Sequence, residues 1–81
     1  MYYTYILENS QGKLYIGQTN DVSARLYRHN GNQVTATKNK GPWTVIYFQS
    51  FNTRSESVLY ESYLKSLKRP EYIKEIVLGG A

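Results

Sequence analysis

Five side chains have the types and spacings needed for proton transfer and cation binding. Tyr5 and Tyr15 lie in two neighbouring segments rich in aromatic residues. Arg25 and His29 are four residues apart, which places both on one side of a helix. Glu61 is flanked by apolar residues, where a carboxylate is rarely left without a partner or a metal ion. These side chains can form one site only if the fold brings them together.

A hairpin must position the two tyrosines. Residues 2–8 and 13–18 are rich in Tyr, Ile and Leu, and a polar segment separates them, as is typical of a β-hairpin. Three-residue hairpin loops place glycine at the third position, in the left-handed conformation. A loop that ends at Gly12 satisfies this preference.

The length of that loop decides which side chains share a face. With the three-residue loop, Tyr5 faces Gly17 and Leu7 faces Tyr15, and all four lie on one surface. A two-residue loop at Ser10-Gln11 would send the two tyrosines to opposite faces. The three-residue loop is preferred, because it gives the glycine a role.

Capping signals define the helices that carry the other three side chains. Asn20-Asp21 begins a helix that is expected to run to about Asn30, with Gly31 ending it. Residues 53–56 form a capping box. The helix that it begins carries Glu61 and should end near Arg69.

The remaining segments complete a predicted α+β fold. Residues 30–41 are polar and are expected to form a loop, whereas Trp43–Phe51 is expected to be a buried third strand. Pro70 can begin a short last helix, which Gly79-Gly80 ends. The order β-β-α-β-α-α predicts a small three-stranded antiparallel sheet flanked by helices. Residues 1–81 are expected to form a single domain.

The bulk composition narrows the function classes. The net charge of +4 favours an anionic partner. With no cysteine, the chain cannot form a disulfide framework or a thiolate zinc site. The N-terminus has no signal-peptide pattern and no apolar run long enough to span a membrane, so a cytoplasmic location without a membrane partner is expected.

Three motifs together resemble one enzyme family. Tyr3-Thr4-Tyr5, followed by Tyr15-Ile16-Gly17, resembles the paired motifs that name the GIY-YIG nuclease superfamily. Residues 20–29 resemble its helix bearing arginine and histidine, and residues 60–68 resemble its metal-binding helix with the pattern E-x-x-L-K. The resemblance covers nearly the whole chain and is to the short, stand-alone members related to the UvrC N-terminal nuclease domain.

This resemblance implies a mechanism for phosphodiester hydrolysis. Glu61 would be the lone protein ligand of one Mg²⁺ or Mn²⁺ ion, and Arg25 would bind the scissile phosphate. Tyr5 would take part in the hydrogen bonds among the catalytic side chains. Either Tyr15 or His29 would take a proton from the attacking water. A free tyrosine has a pKa of about 10 and a free histidine one of about 6.5, so the sequence leaves both bases open.

The implied function is a metal-dependent endonuclease acting on DNA, with branched or damaged DNA and also RNA open as substrates. One alternative is a nucleic-acid-binding module that cuts nothing. Another is a nuclease subunit that needs a protein partner for substrate recognition. The candidates for binding the nucleic-acid backbone are the basic residues Arg28, Lys38, Lys40, Lys65, Lys68 and Arg69.

Each site residue also has a structural alternative. Tyr5 and Tyr15 could be cross-strand packing partners. His29, near a helix C-terminus, could be a surface residue that offsets the helix dipole. Two ion pairs at i,i+4 spacing are also open, Asp21 with Arg25 and Glu61 with Lys65.

Overall fold

The computed structural model describes residues 1–79. Its sheet has three antiparallel strands, β1 (Tyr2–Asn9), β2 (Leu14–Thr19) and β3 (Trp43–Phe51). The spatial order is β2-β1-β3, so β1 is central and both of its neighbours are edge strands. Together with the helices, the element order β-β-α-β-α-α confirms the predicted fold class.

The hairpin between β1 and β2 has the three-residue loop. Gly12 has a φ of 78°, which a residue with a Cβ adopts only under strain, and its amide donates to the Asn9 carbonyl at 3.0 Å. Tyr5 pairs with Gly17, and Leu7 pairs with Tyr15. The predicted register is confirmed.

Three helices flank the sheet: α1 (Val22–Asn30), α2 (Arg54–Ser66) and α3 (Pro70–Leu78). Asp21 caps α1 by accepting from the Ala24 amide, and the capping box of Thr53 and Glu56 is complete at the start of α2. The loop before β3 contains one short 3₁₀ helix, Thr35–Thr37. Pro70 occupies the first turn of α3. The predicted helix starts are confirmed.

The end of α2 was predicted too late. The helix stops at Ser66, and Lys68 has a left-handed φ of 66°. Arg69 is extended, with φ −93° and ψ 123°, because the proline ring that follows disfavours the helical region for the preceding residue. At the end of α3, Gly79 is the capping residue, and the predicted role of Gly80 lies outside the described residues.

The helices form two layers, one on each face of the sheet. On one face Tyr5 and Leu7 pack with Trp43, against the partly buried Val22 and Leu26 of α1. On the other face lies a second buried cluster, made of Ile6, Ile16, Leu64 and Ile73, which joins the sheet to α2 and α3. The predicted site residues are therefore divided between two layers: Arg25 and His29 on one side, Glu61 on the other.

The prediction that β3 is buried is wrong. Only Trp43 of this strand is buried, and Phe48 is 57% exposed. The reason is topological, because β1 takes the central position and leaves β3 at an edge. Within residues 1–79, no helix is long and apolar enough to cross a membrane.

Candidate active site

A buried hydrogen-bond chain lies at the centre of the candidate site. The Tyr5 hydroxyl is 2.8 Å from Nε2 of His29, and Nδ1 of the same ring is 2.7 Å from the Thr37 hydroxyl. The Thr37 hydroxyl donates to the Val34 carbonyl at 3.4 Å. It can therefore accept from Nδ1–H, which leaves Nε2 to accept from Tyr5. Both Tyr5 and His29 are buried, so the imidazole cannot touch solvent directly.

Tyr15 connects this buried chain to the surface. Its ring centroid lies 4.7 Å from that of His29 and 6.2 Å from that of Tyr5. The side chain is only half-buried, and its hydroxyl forms no hydrogen bond within residues 1–79. Tyr15 is thus the member of the cluster that can meet a substrate or a water molecule.

Gly17 makes room for both tyrosines. A Cβ at this position would lie 2.7 Å from the Tyr5 hydroxyl oxygen and 3.0 Å from Cε2 of Tyr15. The Tyr5 hydroxyl therefore lies directly over the backbone of the edge strand β2. Any side chain at Gly17 would displace it from His29.

Burial sets the protonation of this chain. Burial disfavours the phenolate and raises the pKa of Tyr5 to about 12, although the neighbouring Arg25 guanidinium opposes the shift. The pKa of His29 is lowered from its ordinary value, first by burial and then by the positive charges of Arg25 and Arg28. Both groups are therefore neutral at pH 7.

Arg25 lies beside this cluster with an unused donor. It is close enough to Tyr5 to lower the pKa of that hydroxyl, yet its own buried Nε has no hydrogen-bond partner. The alternative ion pair with Asp21 does not form, because no carboxylate within residues 1–79 lies within 4.0 Å of Arg25. Asp21 instead caps α1. The guanidinium is left without a negative partner.

Glu61 approaches from the other layer. The Thr4 hydroxyl donates to the Ser57 carbonyl at 2.7 Å, which fixes α2 one turn before Glu61. The Glu61 side chain is 18% exposed, and Lys65 Nζ donates to its Oε2 at 2.7 Å. Its charge contributes to the raised pKa of Tyr5, so it is within electrostatic range of the cluster. No direct hydrogen bond joins it to the tyrosines within the described chain.

The structure thus brings the five predicted residues together to different degrees. Tyr5, Tyr15 and His29 are in contact, Arg25 adjoins Tyr5, and Glu61 acts only through its charge. The five side chains do not all line one open surface, because Tyr5 and His29 are buried. A cavity of about 520 Å³ between α1 and β3 is lined by none of the five.

The structural alternatives are resolved individually. The tyrosine rings do pack together, and the ion pair of Glu61 with Lys65 does form. His29 is not a surface residue, since its side chain is 0% exposed. Packing of the tyrosines is compatible with either a structural or a chemical role.

The predicted backbone-binding residues lie in four regions. Arg69 is exposed just before α3, with its Nε 3.9 Å from the Glu71 carboxylate. Lys65 and Lys68 line a groove with Tyr15, along the β2 edge. Arg28 is exposed on the last turn of α1. Lys38 and Lys40 are exposed in the loop before β3, where Lys40 Nζ donates to the Ala36 carbonyl at 3.5 Å. Only Lys65 and Lys68 share a surface with a predicted site residue.

The sequence patterns did not predict Thr37 as part of the site. It is buried at 1% exposure and holds the His29 ring from the side opposite Tyr5. A threonine in a polar loop carries no periodic signal, and the hydrogen bond spans eight residues. Only the folded path of that loop reveals the contact.

The donors around Glu61 suit only one kind of metal site. Within residues 1–79, no group of three or more His, Cys, Asp or Glu side chains could hold an ion. Magnesium nevertheless binds through one or two carboxylates while retaining several waters. Oε1 of Glu61 accepts no hydrogen bond from the described residues. The site therefore fits a largely hydrated Mg²⁺ or Mn²⁺ ion and not a fully protein-coordinated one.

A comparison with known families identifies the class of protein to which this fold and site belong. The family model described as the GIY-YIG catalytic domain matches residues 1–74. The chain belongs to the GIY-YIG family of nuclease domains.

Its relatives are UPF0213 proteins. One from Staphylococcus epidermidis is 33% identical over 79 residues, which cover 96% of each chain. One from Streptococcus pneumoniae is 40% identical over 70 residues, 85% of this chain and 71% of the relative. The solution NMR structure of a UPF0213 protein from Bacillus halodurans has a TM-score of 0.57 and 31% identity, covering 94% of this chain and 83% of that one. The name of these relatives specifies no activity.

The close approach of Tyr5 to Gly17 predicts a coupling between the two positions. Gly17→Ala should lower the free energy of unfolding by about 1–3 kcal/mol, because the new Cβ forces the tyrosine aside. In a Tyr5→Phe background the cost should be smaller, since the nearest clashing atom is absent. Urea denaturation of the four proteins measures this coupling. An equal cost in both backgrounds would contradict the geometry.

The buried imidazole predicts a pH dependence of stability. Because the pKa of His29 is lowered in the native state, the unfolded chain binds its proton more tightly. The associated stability is complete above about pH 6.5 and is lost as pH falls through the native pKa. His29 is the only histidine, so its imidazole signals can be titrated by NMR without ambiguity. A midpoint at or above the value of a free histidine would contradict this assignment.

Proposed function

We propose that this chain is a metal-dependent endonuclease that hydrolyses phosphodiester bonds in DNA. The observation that carries the proposal is the buried, unpartnered Nε of Arg25 beside the cluster of Tyr5, Tyr15 and His29. A buried charged donor without a partner costs free energy. A phosphate oxygen would supply the missing acceptor, so the site is better matched to a bound anion than to the free state.

Arg25 is the phosphate-binding residue in this proposal. The guanidinium presents donors in a fork that matches two phosphate oxygens. It would also offset negative charge that grows on the phosphate during hydrolysis. Because α1 packs against the tyrosine face of the sheet, the bound phosphate would lie next to the Tyr15 hydroxyl.

Glu61 is the residue that would hold the metal. A Mg²⁺ or Mn²⁺ ion bound there would supply electrophilic stabilisation of charge on the phosphate oxygens. Lys65 is bonded to one carboxylate oxygen, so it would have to yield or share that oxygen. The other oxygen is free of such a bond within residues 1–79.

Tyr15 is the better candidate for contact with the attacking water. His29 is buried, and protein groups lie within hydrogen-bond distance of both of its nitrogens. Tyr15 packs on this imidazole while its own hydroxyl remains unbonded among the described residues. His29 would then be a positioning residue that holds Tyr5 and supports the ring of Tyr15.

One observation favours the second candidate, a nucleic-acid-binding module without catalysis. The ammonium of Lys65 already neutralises Glu61 at 2.7 Å, which is a stable arrangement without any metal. If that ion pair persists in the presence of divalent ions, phosphate binding at Arg25 would remain and hydrolysis would not. The two candidates therefore differ only in whether a cation displaces Lys65.

Substitution of the proposed metal ligand separates the two candidates. Glu61→Gln should reduce Mg²⁺- or Mn²⁺-dependent cutting of supercoiled and branched DNA by at least about 100-fold, because even indirect metal partners are worth 10–100-fold. Binding to the same DNA should persist, since removing a negative charge does not weaken phosphate contacts. Agarose-gel cleavage assays and gel-shift assays measure the two effects.

Glu71→Gln is the matched control, because it removes the same charge from an exposed site on α3. It should cut like the wild type. Cutting in EDTA, or full activity of Glu61→Gln, would contradict the metal role of Glu61. Tight binding by the wild type with no cutting under either metal would establish the binding module instead.

A further inference from the structure

A second polar groove lies at the end of β2. It has a volume of about 310 Å³ and is lined by Tyr2, Gln18, Thr19, Asn20, Arg25 and Arg54. The groove lies where β2 leads into α1, and the first residue of α2 borders its other side. The groove therefore spans the sheet edge between the two helix layers. It lies next to the cluster of Tyr5, Tyr15 and His29.

The lining of this groove is suited to an anion. It contains two guanidinium groups and no carboxylate. Neither Arg25 nor Arg54 forms an ion pair within residues 1–79, and the buried Nε of Arg25 has no acceptor. The Thr19 hydroxyl is already engaged with the backbone of Asp21, so the neutral donors left are amide and phenol groups of the lining.

The position of Arg54 is unfavourable for the helix that bears it. Arg54 is the first residue of α2, and the helix dipole repels a cation at that end. Its side chain is exposed and gains no compensating ion pair among the described residues. The capping box of Thr53 and Glu56 already satisfies the helix start. A role outside the helix would account for the charge.

We infer that this groove binds the phosphodiester group next to the scissile one on the substrate strand, with Arg54 as the binding residue. This inference rests on the proposed function, because it takes Arg25 to hold the scissile phosphate. Arg25 lines the groove and also adjoins Tyr5, so a single strand can present successive phosphates to Arg25 and Arg54.

The rest of the β2 edge could contact further phosphates of the same strand. Thr19 in this groove lies four positions along β2 from Tyr15. With Lys65 and Lys68, Tyr15 lines a groove at the other end of the strand. At about 3.3 Å per residue, these four positions span roughly 13 Å of strand. A duplex rises about 3.4 Å along its axis for each nucleotide of one strand, and the distance between successive phosphates is longer than this rise. The edge is long enough to contact more than one phosphate, with Arg54 near one end.

The test measures binding without metal. A short fluorescein-labelled DNA duplex is titrated with protein in EDTA at several NaCl concentrations, and the dissociation constant is read from fluorescence anisotropy. Arg54→Gln should weaken binding by at least about 10-fold, as expected for loss of one hydrogen bond between charged groups. Its plot of log affinity against log salt should be shallower by about one phosphate contact.

Two further variants keep the test interpretable. Lys13→Gln removes one positive charge from the exposed hairpin turn and should stay within about two-fold of the wild type. Arg54→Lys keeps the charge but not the fork, so it should retain the salt slope and recover part of the affinity. Urea denaturation checks that each variant is folded. If Arg54→Gln behaves like Lys13→Gln, or if the duplex does not bind at all, the inference is wrong.

A cleavage assay with Mg²⁺ distinguishes this failure from failure of the proposed function. If binding depends on Arg54 but the wild type does not cut, the proposed endonuclease activity is wrong. The groove would then remain as a site that binds the nucleic-acid backbone. Metal-dependent cutting by Arg54→Gln with an unchanged KM would overturn the inference about the groove and leave the proposed endonuclease activity standing.

Discussion

The hydrogen bond from Tyr5 to His29 is the interaction on which the arrangement of the site depends. It forms because Gly17 has no side chain, so the Tyr5 hydroxyl can lie over the edge strand and reach the imidazole at 2.8 Å. Thr37 fixes the other side of the ring at 2.7 Å. The result is a buried neutral chain that supports the half-buried Tyr15. A side chain at Gly17 would force the Tyr5 hydroxyl to shift from this position.

At edge strand β2, side chains from the two helix layers can approach each other. Tyr5 and His29 belong to the face covered by α1, whereas Glu61 belongs to α2 on the opposite face. A central strand would separate these groups by the full thickness of the sheet. At an edge, side chains from both faces can approach one substrate strand. In the proposed function, this position would let an arginine, a tyrosine and a carboxylate act on one strand without a deep pocket.

The sequence predicted the features that depend on local patterns. The left-handed Gly12 determined the hairpin register, and the capping residues located the helix starts. The family resemblance indicated roles for the five candidate site residues. Features set by long-range packing were not predicted. These are the contact of Thr37 with His29, the exposure of β3, and the position of Glu61 in the opposite helix layer. These depend on strand order and loop path, which no short pattern in the chain specifies.

In the proposed function, a divalent ion at Glu61 and the cluster of Tyr5, Tyr15 and His29 form one site. Titration of ¹⁵N-labelled protein with Mn²⁺, followed by NMR line broadening, tests it most directly, because paramagnetic broadening falls steeply with distance. Signals of Glu61 should broaden first, and those of Tyr15 and Gly17 next. Broadening that begins at the acidic residues of α3, Glu71 and Glu75, and leaves Glu61 sharp would contradict it.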